Sequence, residues 1–154
     1  MKMKIWLAGV SILGLIAVAG IYIALQGKET INHHYVFTGS GEYWSAEYEV
    51  TATETFQEKN NKTEYSSNPS GHFKLLYNRE LAELSGLYKI TYSYKGTANG
   101  GSGTEEFSAP PKSKEVISRS AGGGNGAFER KDSKIEVTVE WQGKTETFYL
   151  LNKQ

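Results

Sequence analysis

The chain has 154 residues, with 17 Lys+Arg set against 17 Asp+Glu, and so even a balance gives neither the basic footprint of a nucleic-acid binder nor a basic arm for anionic lipid. It contains no cysteine, which excludes disulfides, thiolate metal ligands, thiol nucleophiles and a lipid-modified N-terminal cysteine. Asp132 is the sole aspartate, so calcium loops built on closely spaced Asp and Asn ligands are not expected.

Ile5 to Leu25 is an unbroken uncharged run. As a helix rising about 1.5 Å per residue it would span roughly 30 Å, the thickness of a bilayer's hydrocarbon core, with its backbone groups bonded internally. Lys2 and Lys4 precede the run, and Trp6 and Tyr22 lie near its two ends, where interfacial aromatics belong. The positive-inside bias then leaves residues 1–4 in the cytoplasm and carries the bulk of the chain across the cell membrane. Ala17-Val18-Ala19 before Gly20 also fits a signal-peptidase site. Such sites normally open onto polar, extended chain, whereas here the apolar run continues to Leu25, so a retained signal anchor is the favoured reading. Both readings export the domain. With cysteine absent, the helix is the one attachment visible in the sequence.

Residues 26–33 read as a short linker, and 34–154 as one extracytoplasmic domain of ordinary size. Its core material is ample: of three Trp, ten Tyr and six Phe, only Trp6 and Tyr22 fall in the apolar run. Apolar residues alternate with period two, the mark of half-buried strands. A strand is expected near 34–38. Trp44, Ala46, Tyr48, Val50 and Ala52 share one face of a longer strand over 43–56, with a turn at Asn60-Asn61. A third strand covers 72–77. Asn78 to Ser85, with Leu81 and Leu84, suits one helical turn.

Tyr88, Ile90, Tyr92 and Tyr94 predict the next strand. Shorter strands are expected near 104–109 and 114–119, and the glycine-rich stretches Gly96 to Gly103 and Gly122 to Gly126 read as long flexible loops. At the C-terminus, a two-residue turn at Gln142-Gly143 sets Val137 opposite Phe148 and Ile135 opposite Leu150. It also sets Thr138 opposite Thr147 and Glu140 opposite Thr145, so both faces agree on one register. Seven or eight short strands predict an all-β fold, an antiparallel β-sandwich of immunoglobulin-like architecture preceded by one transmembrane helix.

Chemistry-bearing constellations are sparse. His33 and His34 are neighbours in extended chain and point to opposite sides, and with His72 they show no metal-ligand spacing, so no metal is expected. No serine sits in a nucleophile-elbow pattern, and the glycine stretches lack the Gly-Lys-Ser/Thr ending of a phosphate-binding loop. No cofactor is expected. Glu47, Glu49 and Glu54 are read as solvated charge on the polar face of their strand rather than a carboxylate pair for glycoside hydrolysis. Tyr43 and Trp44 are the candidate ligand- or partner-binding residues, as exposed rings that stack on sugars or anchor a protein.

Phe37-Thr38-Gly39-Ser40-Gly41-Glu42-Tyr43-Trp44 resembles the opening of small extracytoplasmic proteins of Bacillus-type bacteria, and Val137 to Thr147 resembles their closing hairpin. The resemblance implies a membrane-anchored cell-surface β-sandwich and transfers no catalytic residue. The combined expectation is a non-enzymatic binding module of the cell envelope, with an envelope protein or glycan as partner. A carbohydrate- or cell-wall-binding module is the alternative, and an envelope-polymer hydrolase the third reading.

Overall fold

The computed structural model describes residues 27–153, so the expected membrane span, Ile5 to Leu25, lies outside the described residues. Among these no helix is long and apolar enough to cross a membrane. The fold is all-β. Strands β1 (Lys28–Ser40), β2 (Trp44–Lys59), β3 (Lys62–Tyr77), β4 (Lys89–Lys95), β5 (Gly100–Glu106), β6 (Glu115–Gly122), β7 (Ile135–Trp141) and β8 (Lys144–Asn152) are joined with a 3-10 turn at Leu81–Leu84. They form one eight-stranded antiparallel sheet in the order β5-β4-β7-β8-β1-β2-β3-β6. Lys28 to His33, expected as linker, are instead the start of β1.

Two compact units can be distinguished. The smaller comprises, among the described residues, 27–31 and Glu54–Ser66. It is the tip of the β2–β3 hairpin, where Asn60 and Asn61 both take positive φ, 53° and 57°. Asparagine tolerates this left-handed conformation, and a two-residue turn of that hand matches the twist of its strands. Phe56 packs on Tyr65 at 5.2 Å, the Tyr65 hydroxyl donates to Glu54 at 2.8 Å, and the Glu58 amide donates to the Gly27 carbonyl at 2.8 Å.

The larger unit holds Asn32–Thr53 and everything from Ser67 onward. Period-two alternation does most of the work here. Along β2 the side chains of Trp44, Ala46, Tyr48, Val50 and Ala52 are all buried, as their spacing requires. Along β7 and β8 the buried set is Ile135, Val137, Val139, Trp141, Phe148 and Leu150. Each such side chain contributes roughly 1.5–3 kcal/mol through the apolar surface it removes from water. The C-terminal hairpin has the expected register: Val137 opposes Phe148, Ile135 opposes Leu150, and Thr138 opposes Thr147. Gln142 and Gly143 take positive φ in its turn.

The sheet curls so that distant strands meet. Phe73 of β3 stacks on Tyr94 and Tyr92 of β4 at 4.5 and 5.6 Å, and Trp44 of β2 meets Trp141 of β7 edge-on at 5.6 Å. β1 meets β8 through Phe37 opposite Asn152 and Thr38 opposite Leu151, with the Lys153 amide donating to the Val36 carbonyl at 2.7 Å beside them. The edge strands β5 and β6 are bridged by an ion pair between Glu105 and Arg119. Glu105 lies opposite buried Ile90, and Arg119 opposite buried Phe73. Opposed residues share a face, so both charges turn inward. Inward charge on an edge strand blunts pairing with other chains.

The glycine-rich loops are structured. Gly100 to Gly103 belong to β5, with Gly101 opposite Tyr94 and Gly103 opposite Tyr92. A Cβ at Gly101 would lie 2.6 Å from the Tyr94 hydroxyl, and one at Gly103 2.7 Å from that of Tyr92. The tyrosine rings lie over the bare backbone and supply the cross-strand contact that glycine lacks. Tyr88, expected on the inner face of β4, precedes the strand and is 72% exposed.

Candidate binding cleft

Four neighbouring strands present an open cleft of about 600 Å³ in the larger unit. β1 supplies Asn32 and His33, β2 supplies Thr51 to Thr53, β3 supplies Asn68, Pro69 and Ser70, and β6 supplies Ser120 to Gly122, followed by Gly123. Among the described residues no Lys, Arg, Asp or Glu lines it. Its shape follows from a glycine. A Cβ at Gly122 would sit 2.8 Å from the Pro69 carbonyl oxygen, so only glycine lets β6 approach β3 this closely. Gly123, at φ 109°, then donates its amide to the same carbonyl at 2.9 Å.

The segment that follows is tied down as well. Ser67 donates its amide to the Asn125 side chain at 3.0 Å and its hydroxyl to the Gly126 carbonyl at 2.7 Å. Gly122 thus ends β6, and the loop expected over Gly122 to Gly126 is tied to β3 at Gly123, Asn125 and Gly126.

Within the cleft the polar groups fall into two sets. The Thr53 hydroxyl donates to the Asn32 side-chain Oδ1 at 2.9 Å, and His33 Nδ1 lies 3.0 Å from the Tyr35 hydroxyl. These contacts fix side chains. By contrast, among the described residues the side chains of Thr51, Asn68, Ser70 and Ser120 form no hydrogen bond to the protein. Hydroxyls and carboxamides both donate and accept, and in this cleft they are left to solvent or a ligand.

Two other polar centres face the protein itself. In the first, Glu129 is buried, 1% exposed, and closes the β4–β5 turn. Its carboxylate accepts from the amides of Ala98 and Asn99 at 2.8 Å each, and from the Thr97 amide at 3.3 Å and hydroxyl at 2.9 Å. Burial pushes its pKa up, but hydrogen bonds from Asn99, Ser133, Ala98 and Thr97 outweigh that and hold it below the ordinary glutamate value. In the second, Glu146 closes the β1–β2 turn, accepting from the amides of Glu42 at 2.6 Å, Tyr43 at 3.1 Å and Trp44 at 2.9 Å.

The residues proposed from the sequence as a binding platform are placed otherwise. Trp44 is fully buried, edge-on to Tyr77 at 5.0 Å and to Trp141. Its strand parity with Ala46 and Tyr48 sends it inward, so it is a core residue and no part of an exposed surface. Tyr43 is half-buried against Trp141 at 5.4 Å, with the Arg79 guanidinium and the Lys144 ammonium each 4.9 Å from its ring centre. These cation–π contacts occupy the ring.

Of the glutamates, Glu47 bonds Lys74 at 3.2 Å, Glu49 bonds His34 at 2.9 Å, and Glu54 bonds Tyr65. Glu54 is 6% exposed rather than solvated, because it continues the inward parity of Ala52. His33 and His34 point to opposite sides as expected: one reaches Tyr35, and the other Glu49. His72 bonds Ser118 across to β6 at 2.9 Å. Among the described residues no group of three or more His, Asp or Glu gathers to hold a metal ion.

No family model, curated protein or solved structure matches this chain. The cleft itself was beyond reach of sequence reasoning. Its residues come from four separated segments, and apart from His33 none belongs to a residue type that signals a site.

Proposed function

We propose that this chain is a single-pass membrane protein whose extracytoplasmic β-domain is a non-enzymatic binding module of the cell envelope. The observation that carries the reading is the cleft, where four hydrogen-bonding side chains stand on adjacent paired strands yet, among the described residues, engage no group of the protein. The uncharged run of Ile5 to Leu25, with Lys2 and Lys4 before it, supports a signal anchor that leaves the domain outside. The curled sheet, with Trp44 and Phe73 meeting residues of β7 and β4 across its interior, is compatible with an immunoglobulin-like sandwich. The resemblance to small extracytoplasmic proteins of Bacillus-type bacteria points the same way. A hydrolase is disfavoured by the separate engagement of Glu47, Glu49 and Glu54.

Crosslinking of intact envelopes followed by capture of the full chain tests the reading. An envelope component enriched over an anchor-only control is expected, and equal recovery from both would contradict it. Mass spectrometry of the membrane fraction tests the anchor: peptides from residues 1–25 should persist, and a mature N-terminus at Gly20 would overturn that half.

A further inference from the structure

We infer that the cleft on β1, β2, β3 and β6 is a binding site for a neutral, polyhydroxylated glycan chain; this rests on the binding-module reading and names its ligand. Three properties of the lining lead there. First, no side chain among the lining residues carries a fixed charge, so an anionic or cationic ligand would give up its hydration without meeting a countercharge. Second, the free groups are hydroxyls and a carboxamide, on Thr51, Ser70, Ser120 and Asn68. An apolar ligand would bury them unpaired, at a cost each time, whereas sugar hydroxyl and acetamido groups donate and accept as these side chains do.

Third, the cleft runs across the strands rather than along one. Four adjacent strands at about 4.8 Å spacing give a span of roughly 15 Å, enough for a short oligosaccharide. A peptide adding by strand pairing would instead run along the β6 edge, where the inward Glu105–Arg119 pair opposes such addition. The site is also preset. The Thr53 to Asn32 hydrogen bond fixes one end, and the close approach of Gly122 and Gly123 to Pro69 fixes the other, so little ordering is required on binding.

The test uses the full chain in nanodiscs, since sugar-headed detergents would compete. Binding is measured by calorimetry against a soluble N-acetylglucosamine hexamer and against a neutral glucan hexamer, and by sedimentation with an insoluble polymer of each. Saturable binding to at least one is expected, weakened tenfold or more by Asn68→Ala with Ser70→Ala and abolished by Ser120→Trp, which fills the cleft. Glu136→Gln, on the outer face of β7, should leave it unchanged. Thermal melts establish that each variant is folded, and a Thr51→Ala variant replaces any that is not.

Binding to the polymer alone, lost in the same variants, would place the ligand in the wall rather than in free oligosaccharide and still supports the inference. Absence of binding to both sugars, or binding unaffected by the cleft variants, overturns it. If Ser120→Trp then still abolishes capture of an envelope protein by the full chain, the binding-module reading stands and the glycan inference alone falls. If capture is also absent in the wild type, both fall.

Discussion

The Glu129 turn and the cleft use the same kinds of polar group to opposite ends. Around Glu129 every oxygen of a buried carboxylate is directed at an amide or hydroxyl of residues 97–99, and the polar groups are spent on the fold. In the cleft, Thr51, Asn68, Ser70 and Ser120 stand on paired strands and, among the described residues, meet no hydrogen-bond partner. A buried polar group without a partner costs on the order of 1–3 kcal/mol, so the first arrangement is required for stability. The second carries no such requirement and is free to serve a ligand. The difference is what singles out the cleft as the proposed binding site.

The largest effect should come from breaking the buried turn. Glu129→Ala leaves the amides of Thr97, Ala98 and Asn99 without their acceptor and is expected to cost about 3 kcal/mol, read by urea unfolding. Gly96→Ala is expected to be destabilising too, because a Cβ there would lie 2.1 Å from a Glu129 carboxylate oxygen. The parallel change Glu146→Ala removes an acceptor from the amides of residues 42–44. Glu146 is partly exposed, water takes its place, and the loss should be nearer 1 kcal/mol. Equal losses at the two sites would show that burial is not what separates them.

A pH series sharpens the same contrast. The Glu129 pKa is held below its ordinary value of 4.5, so the native state favours the carboxylate. That contribution is fully present above the unfolded value and is lost as pH falls through the folded one. The stability gap between wild type and Glu129→Gln should therefore be widest near neutral pH and narrow as pH drops below 4.5. A gap that widens on acidification would reverse the assignment. The smallest effect belongs to the cleft: Ser70→Ala and Ser120→Ala should change stability by less than about 0.5 kcal/mol.

Much of the fold was legible in the sequence where local pattern and tertiary burial agree. The β7–β8 register, the inward face of β2, the Asn60-Asn61 turn and the single helical turn at Leu81–Leu84 all follow from alternation and turn chemistry. The errors arose where a residue's partner is distant in sequence. β3 begins at Lys62, ten residues before the strand expected from His72, because Ser67-Asn68-Pro69-Ser70-Gly71 has turn composition but belongs to the strand. Gly101 and Gly103 are strand residues only because Tyr94 and Tyr92 cover them. Trp44, a candidate surface ring by residue type, is placed inside by its own strand parity. The cleft needed residues near positions 32, 53, 69 and 121 brought side by side, and a stretch of neutral hydroxyls and amides announces nothing until that happens.

The most direct test of a binding role for the cleft is site-specific photo-crosslinking in intact cells. A small aliphatic diazirine residue at position 120, in the cleft and too short to fill it as tryptophan would, is compared with the same residue at position 136, on the outer face of β7. The account predicts a discrete adduct from position 120, lost when Asn68→Ala and Ser70→Ala are added, and none from position 136. Adducts of equal yield from both positions, or from position 136 alone, would contradict it.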